Sequence, residues 1–170
     1  LIVRSVNQKK FTKEDLFFHN ERFHSYEVHS DLSSVNQQEL LNCLNTSLEF
    51  TYQKIKTATH ILITYGTSWV YQEKNSGAVV ANCHKMPQSH FDKHLLSVAT
   101  IEAAIQNTVD AIRKVNPNCS LVFTLSPVRH IKDGFVENQR SKAHLITALQ
   151  NLLSDHLLDQ AGYFPAYEIV

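Results

Sequence analysis

The sequence has no excess of charge of either sign: 16 lysines and arginines meet 16 aspartates and glutamates over 170 residues. A chain so balanced offers no broad basic field to nucleic acid or acidic lipid, so neither nucleic acid nor membrane is an expected partner. No apolar run approaches the length of a membrane span, and no signal peptide opens the chain. The three cysteines, Cys43, Cys83 and Cys119, are odd in number and lack paired spacing. That argues against a disulfide framework and for a reducing, cytoplasmic setting. There is no internal repeat and no low-complexity linker. No Gly-x-Ser-x-Gly elbow and no Gly-Asp-Ser occurs, so a serine–histidine–acid triad is not visible within the chain. His90 and His94 stand four apart and His84 precedes them, but no glutamate sits between them as in His-Glu-x-x-His. We therefore expect no metal and no cofactor.

What is present is an ordinary globular composition, 43% hydrophobic and 19% charged, at a length that suits one domain. Thr12 caps a short helical turn, and Phe17-Phe18-His19 and Arg22-Phe23-His24 flank Asn20-Glu21 as a hairpin. Ser34 and Gln37 fit a capping box ahead of a helix striped by Leu40, Leu41, Leu44, Leu48, Tyr52 and Ile55. Residues 59–65 form an apolar run suited to a buried strand, and Asn75-Ser76-Gly77 marks a hairpin. A second helix is expected over about 100–115, ended by Pro117, and a second buried strand over 120–125. A third helix runs over roughly 137–158 with Gly162 as its C-cap, followed by a strand over 163–170. Helix and strand in alternation are the grammar of crossover units, so the fold class is α/β with a parallel sheet. A start without methionine and an end inside a strand are read as one domain, 1–170, incomplete at both ends.

In such sheets ligands bind beyond the carboxyl ends of the strands. Three polar segments fall there: 66–69, 82–85 and 126–130. Gly66 and Thr67 can present backbone N–H groups to an oxyanion, or Gly66 simply permits a tight turn. Trp69 is a packing residue or a substrate platform. At a strand end Asn82 and His84 point one way, Cys83 and Lys85 the other. Asn82 suits an oxyanion donor, and His84 a base, an anchor or a ligand. Cys83 is a small buried hydrophobe unless its thiol is activated. Pro127 holds Ser126 extended; Arg129 fits a carboxylate, phosphate or sugar oxygen, or else ties the loop to an acid such as Glu168. His130 is read as a site residue, His19 and His24 as surface residues, and His29-Ser30 as a segment near the site.

Four blocks carry a resemblance: Thr64-Tyr65-Gly66-Thr67-Ser68-Trp69-Val70-Tyr71, Val80-Ala81-Asn82-Cys83-His84-Lys85-Met86-Pro87, the stretch from Ser126 to Gly134, and Tyr163-Phe164-Pro165-Ala166-Tyr167-Glu168. In order and spacing they resemble the bacterial GSCFA family, with lesser echoes at His29-Ser30 and Ser141-Lys142-Ala143. That family is similar to the SGNH hydrolases. The resemblance implies a three-layer α/β/α sandwich of flavodoxin-like type and ester hydrolysis or acyl transfer through a serine. It also implies a Gly-Ser-Cys-Phe-Ala block before this chain and an aspartate and histidine after it. Asn82, His84 and His130 are then the catalytic candidates here, and Gly66, Thr67, Trp69, Lys85, Ser126 and Arg129 the substrate-binding ones. The substrate implied is a small or glycan-linked ester. SGNH enzymes read Gly-x-Asn-Asp where this chain reads Gly66-Thr67-Ser68-Trp69, so the oxyanion asparagine is replaced. A non-catalytic carbohydrate- or phosphate-binding module is the rival reading.

Overall fold

Apolar residues at helical spacing recur three times along the chain, and each stripe folds into a long helix that buries it. In chain order the elements are α1 (Ile2–Val6), β1 (Phe17–His19), β2 (Arg22–His24), α2 (Gln37–Thr57), β3 (His60–Tyr65), β4 (Trp69–Glu73), β5 (Val79–Val80), β6 (Phe91–Leu95), α3 (Val98–Val115), β7 (Ser120–Leu125), α4 (Phe135–Ser154), β8 (Ala161–Phe164) and α5 (Ala166–Ile169). This computed structural model describes residues 1–129, 131, 134–155 and 157–170. The chain divides into two units, one of Leu1–Lys54 with Val70–His94 and one of Ile55–Trp69 with Leu95–Val170.

The second unit holds the parallel sheet, in the order β3-β7-β8. Its register runs from His60 beside Ser120 to Tyr65 beside Leu125, and from Leu121 beside Ala161 to Thr124 beside Phe164. Two successive crossovers step the same way across the sheet, and right-handed crossovers then put α3 and α4 on one face. Accordingly α3 packs on α4, and Ile101, Ile105, Val109 and Ile112 are buried together with Leu145, Ala148, Leu149 and Leu152. Beneath them Leu121, Phe123 and Leu125 point from the central strand and are essentially inaccessible. A parallel sheet flanked by helices is the α/β layering read from the sequence. β3 is less buried than its apolar run suggests. It is an edge strand and its residues alternate, so Leu62 is 70% exposed while its neighbours are half-buried.

The first unit centres on α2, whose Leu40, Leu41, Leu44 and Leu48 close on Phe11 and Val28. Arg4 organises its amino-terminal end. The guanidinium lies 3.9 Å from the Phe11 ring centroid and donates to the carbonyls of Lys9 and Lys10, both at 2.9 Å. It also pairs with Glu27 and, at 2.5 Å, with Asp15. The β1–β2 hairpin forms as expected, with Asn20 and Glu21 at positive φ in its turn. The second hairpin pairs Tyr71 with Val80, and a third strand, β6, joins it in the order β5-β4-β6.

Several expectations are corrected. The cap of α2 is Asn36, not Ser34: Asn36 Oδ1 accepts from the amides of Gln38 and Glu39, at 2.9 and 3.2 Å. Ser34 instead accepts from Asn36 N and donates to Glu39. Helix α4 stops at Ser154, and Gly162 lies inside β8 because Val122 takes it as a sheet partner. The strand expected over 163–170 ends at Phe164, where Pro165 removes a ladder donor and caps α5. β6 was missed because Phe-Asp-Lys-His-Leu has little apolar alternation.

Burial alone would raise the Asp15 carboxyl, but hydrogen bonds from Arg4 and Thr12 outweigh it and hold it below the usual range. A depressed carboxyl adds stability above its unfolded pKa and loses it as pH falls through the folded value. Arg4→Met should therefore cost about 3 kcal/mol at neutral pH, since it strands two acids. It should also flatten the loss of stability below pH ~4. Urea melts of both proteins at pH 7 and in the acid range measure this, and an unchanged acid limb in the variant contradicts it.

Candidate functional site

At the carboxyl ends of β3 and β7, two of the three polar segments lie on adjacent parallel strands of one unit. One feature of α4 holds them. Lys142 is only 2% exposed, and its Nζ donates to the carbonyls of Gly66 at 2.6 Å and Ser126 at 2.7 Å. The same ammonium lies 5.2 Å from the Tyr167 ring centroid. Burial pulls its pKa down from the ordinary lysine value. One turn earlier, Trp69 Nε1 donates to the carbonyl of Glu137 at 3.2 Å, which fills the packing role of that indole.

Ser141 ties the 66–69 loop down. Its Oγ accepts from Ser68 N at 2.8 Å and lies 2.9 Å from Thr67 Oγ1, and its carbonyl accepts from Ser68 Oγ at 3.0 Å. Thr67 Oγ1 also accepts from Trp69 N at 3.1 Å. Ser68 is thus buried, with its amide and its hydroxyl both held by Ser141. Among the described residues, the backbone N–H groups of Gly66 and Thr67 have no partner.

After β7, Ser126 N donates to Tyr65 O at 2.9 Å, and Ser126 Oγ accepts from Val128 N at 3.2 Å. Arg129 is exposed and lines a cleft of about 450 Å³ with Phe135, Val136, Gln139 and Tyr167. Glu168, the acid considered as its tie, instead accepts from Tyr163 OH at 2.8 Å. Tyr167 OH donates to Gln139 at 2.7 Å. His130 lies outside the described residues.

The third segment belongs to the first unit, where β5 is part of an antiparallel sheet. It does not continue as a strand. Asn82 Oδ1 accepts from His84 N at 2.7 Å, and His84 and Lys85 both adopt positive φ, so the chain turns back. His84 is 4% exposed and donates from Nε2 to Ser25 O at 2.8 Å, the anchoring role among the three considered for it. Its ring lies 4.8 Å from that of His24, which is 7% exposed rather than on the surface, because the inward face of β2 stacks it on Phe17. Among the described residues, neither ring has a partner at Nδ1. Asn82, Cys83 and Lys85 line a cleft of about 350 Å³ together with Tyr71, Met86 and Phe91. Burial raises the Cys83 thiol, so it is held protonated. His29 is exposed. Among the described residues no three of histidine, cysteine, aspartate and glutamate gather as a metal requires. No helix there is long and apolar enough to cross a membrane.

The family model for GSCFA matches residues 1–170. The chain belongs to the GSCFA family. No curated protein and no solved structure matches it. Within this GSCFA chain the residue that the polar-loop reading missed is Lys142, noted only as an echo. Its spacing was a signal: Lys142 precedes Leu145, Leu149 and Leu152 by 3, 7 and 10 positions, so it sits on the apolar stripe of α4.

Burial pulls the His84 imidazole below its ordinary value, with nearby His24 adding to the effect and the Ser25 carbonyl opposing it. A depressed histidine adds stability above its unfolded pKa and loses it as pH falls through the lower folded one. The amides around 81–84 should therefore exchange faster as pH drops from 7.5 to about 5, beyond the intrinsic pH dependence. His84→Phe should lose roughly 1–3 kcal/mol at pH 7.5, by orphaning Ser25 O, yet show a weaker acid dependence. Equal acid dependence in the two proteins contradicts the assignment.

Proposed function

We propose that this chain forms the oxyanion side and substrate walls of an SGNH-type hydrolase or acyltransferase. It acts on an ester, glycan-linked in one form of the reading, through a serine acyl intermediate. The serine, and the acid and base that serve it, come from sequence flanking residues 1–170 in the intact protein. The observation that carries this reading is the 66–69 loop. It is latched to α4 by Ser141 and Lys142, and at the carboxyl end of a parallel strand its Gly66 and Thr67 N–H groups have no partner among the described residues. Preorganised backbone donors at such an edge are what developing negative charge on an acyl oxygen needs. The Arg129 cleft, walled by Phe135, Val136 and by the Tyr167 that also covers Lys142, has room for the rest of an ester. Three free cysteines support a reducing, cytoplasmic setting for the reaction.

The full-length protein should be labelled covalently by a fluorophosphonate and should hydrolyse p-nitrophenyl acetate. Asn82→Ala and His130→Ala should each lower kcat by about 10²- to 10³-fold with the melting curve unchanged. A protein that takes no label and cleaves no ester, yet binds sugars or phosphate through Arg129, Lys85 and Trp69, is instead the non-catalytic module. Wild-type rates in both variants also sink the assignment.

A further inference from the structure

Among the described residues, Lys142 is a buried cation with no anion. Both of its hydrogen-bond acceptors are neutral carbonyls, and among the described residues no carboxylate lies within ion-pair distance of it. Carbonyl oxygens solvate an ammonium but leave its full charge uncancelled, and the surrounding protein screens that charge far less than water does. Arg4, the other deeply buried cation, has two carboxylates. The contrast points to an anion supplied from outside at the Lys142 edge.

The hydroxyl protons there can be assigned by accounting. Ser68 Oγ spends its proton on Ser141 O. Ser141 Oγ already accepts from Ser68 N, is buried, and has Thr67 Oγ1 as the acceptor for its own proton. Were Thr67 the donor instead, the buried Ser141 proton would have only Ser68 Oγ in reach, at a longer 3.2 Å and itself donating toward Ser141. Thr67 Oγ1 therefore accepts twice, from Ser141 and from Trp69 N, and its own proton is free at an exposed position. It stands next to the unpartnered amides of Gly66 and Thr67.

We infer that the carboxyl edge of β3 is a subsite for a singly charged oxygen, with Gly66 N–H, Thr67 N–H and Thr67 Oγ–H as donors and Lys142 as the charge beneath them. The ligand class is a carboxylate or the oxyanion of an acyl-transfer intermediate, which share this chemistry. Lys142 acts through the loop it holds and through its field, so it is a positioning residue and does not touch the ligand. The inference rests on the same site as the proposed function, but it can fail separately.

The test is titration of the ¹⁵N-labelled full-length protein with acetate, and with acetamide as the neutral isostere. Acetate should shift the Gly66 and Thr67 amides, and acetamide at equal concentration should leave them in place. Lys142→Met should weaken acetate binding by about tenfold or more. Thr67→Val should weaken it severalfold, and Thr67→Ser should restore it. Wild-type affinity should fall at alkaline pH as Lys142 loses its proton, and Lys142→Met should lack that limb. If Lys142→Met does not fold, the Thr67→Val and Thr67→Ser pair decides the matter, and equal affinity in the two overturns the subsite. Acetate that shifts neither amide, or that binds Lys142→Met as tightly as wild type, also overturns it. Acetate binding that depends on Lys142 in a protein without esterase activity upholds the subsite and defeats only the hydrolase reading. Esterase activity with unchanged kcat and KM in Lys142→Met does the reverse. Esterase activity whose kcat falls in Lys142→Met while KM holds identifies the oxyanion, rather than a bound carboxylate, as the natural occupant.

Discussion

The ammonium of Lys142 bridging two strand-end carbonyls is the interaction on which the parallel-sheet unit depends at its carboxyl edge. A parallel ladder ends with carbonyl groups that no further strand residue can satisfy, and the loops beyond are free to splay. A cation delivered from the covering helix satisfies Gly66 and Ser126 at once and fixes the gap between β3 and β7. Neighbouring Ser141 then sets the path of the first loop by holding both the amide and the hydroxyl of Ser68. Tyr167, arriving after β8, completes the shell around the ammonium. Each strand of the sheet thus sends its following segment to one lysine.

Burying a cation costs several kcal/mol unless its surroundings replace water, and the two units answer that cost differently. Arg4 meets carboxylates and carbonyls together with an aromatic face, so its charge is neutralised within the fold. The guanidinium there is a staple, and its Asp15 partner is held acidic in return. Burial pushes His84 toward its neutral form instead, and His24 and His84 each donate once to a main-chain carbonyl, with no Nδ1 partner among the described residues. Lys142 follows neither course. Among the described residues it meets only two carbonyls and the Tyr167 ring, and burial lowers its pKa. A staple needs no ligand, whereas an uncompensated charge at a strand-end edge is best explained by one.

Much of this was legible in the sequence, and the losses have physical causes. The stripes of α2, α3 and α4 were plain because burial on one helical face leaves a period, and the run at 120–125 because a central parallel strand has a neighbour on each edge and buries Leu121, Phe123 and Leu125. The short hairpin at Asn20-Glu21 was equally readable from its turn residues. Caps were not: Ser34 and Asn36 both suit an N-cap, and only the backbone path decides which oxygen meets the first amides. Gly162 and the 163–170 segment failed for a related reason, since glycine and proline mark a break without saying on which side it falls. The polar segments were correctly seen at strand ends, but the sheet to which each strand belongs is a tertiary fact. That is why 82–85 proved to be a left-handed turn beyond an antiparallel hairpin.

Lys142 shows where such reading can improve. A long cation on the apolar stripe of a helix is ordinarily discounted, because lysine can extend its stem and reach water. When the stripe faces the carboxyl edge of a parallel sheet, the same stem reaches carbonyls instead. The replacement of asparagine by Ser68 belongs to the same arrangement. An asparagine in a Gly-x-Asn-Asp block brings its own amide donor to the oxyanion, whereas Ser68 turns inward and spends its hydroxyl on Ser141. In the proposed reading, donation falls to the backbone of Gly66 and Thr67 and to one threonine proton. In the proposed subsite the charge of Lys142 adds to the field of those donors. On this view the serine at position 68 and the lysine at position 142 are one device, and each makes sense of the other.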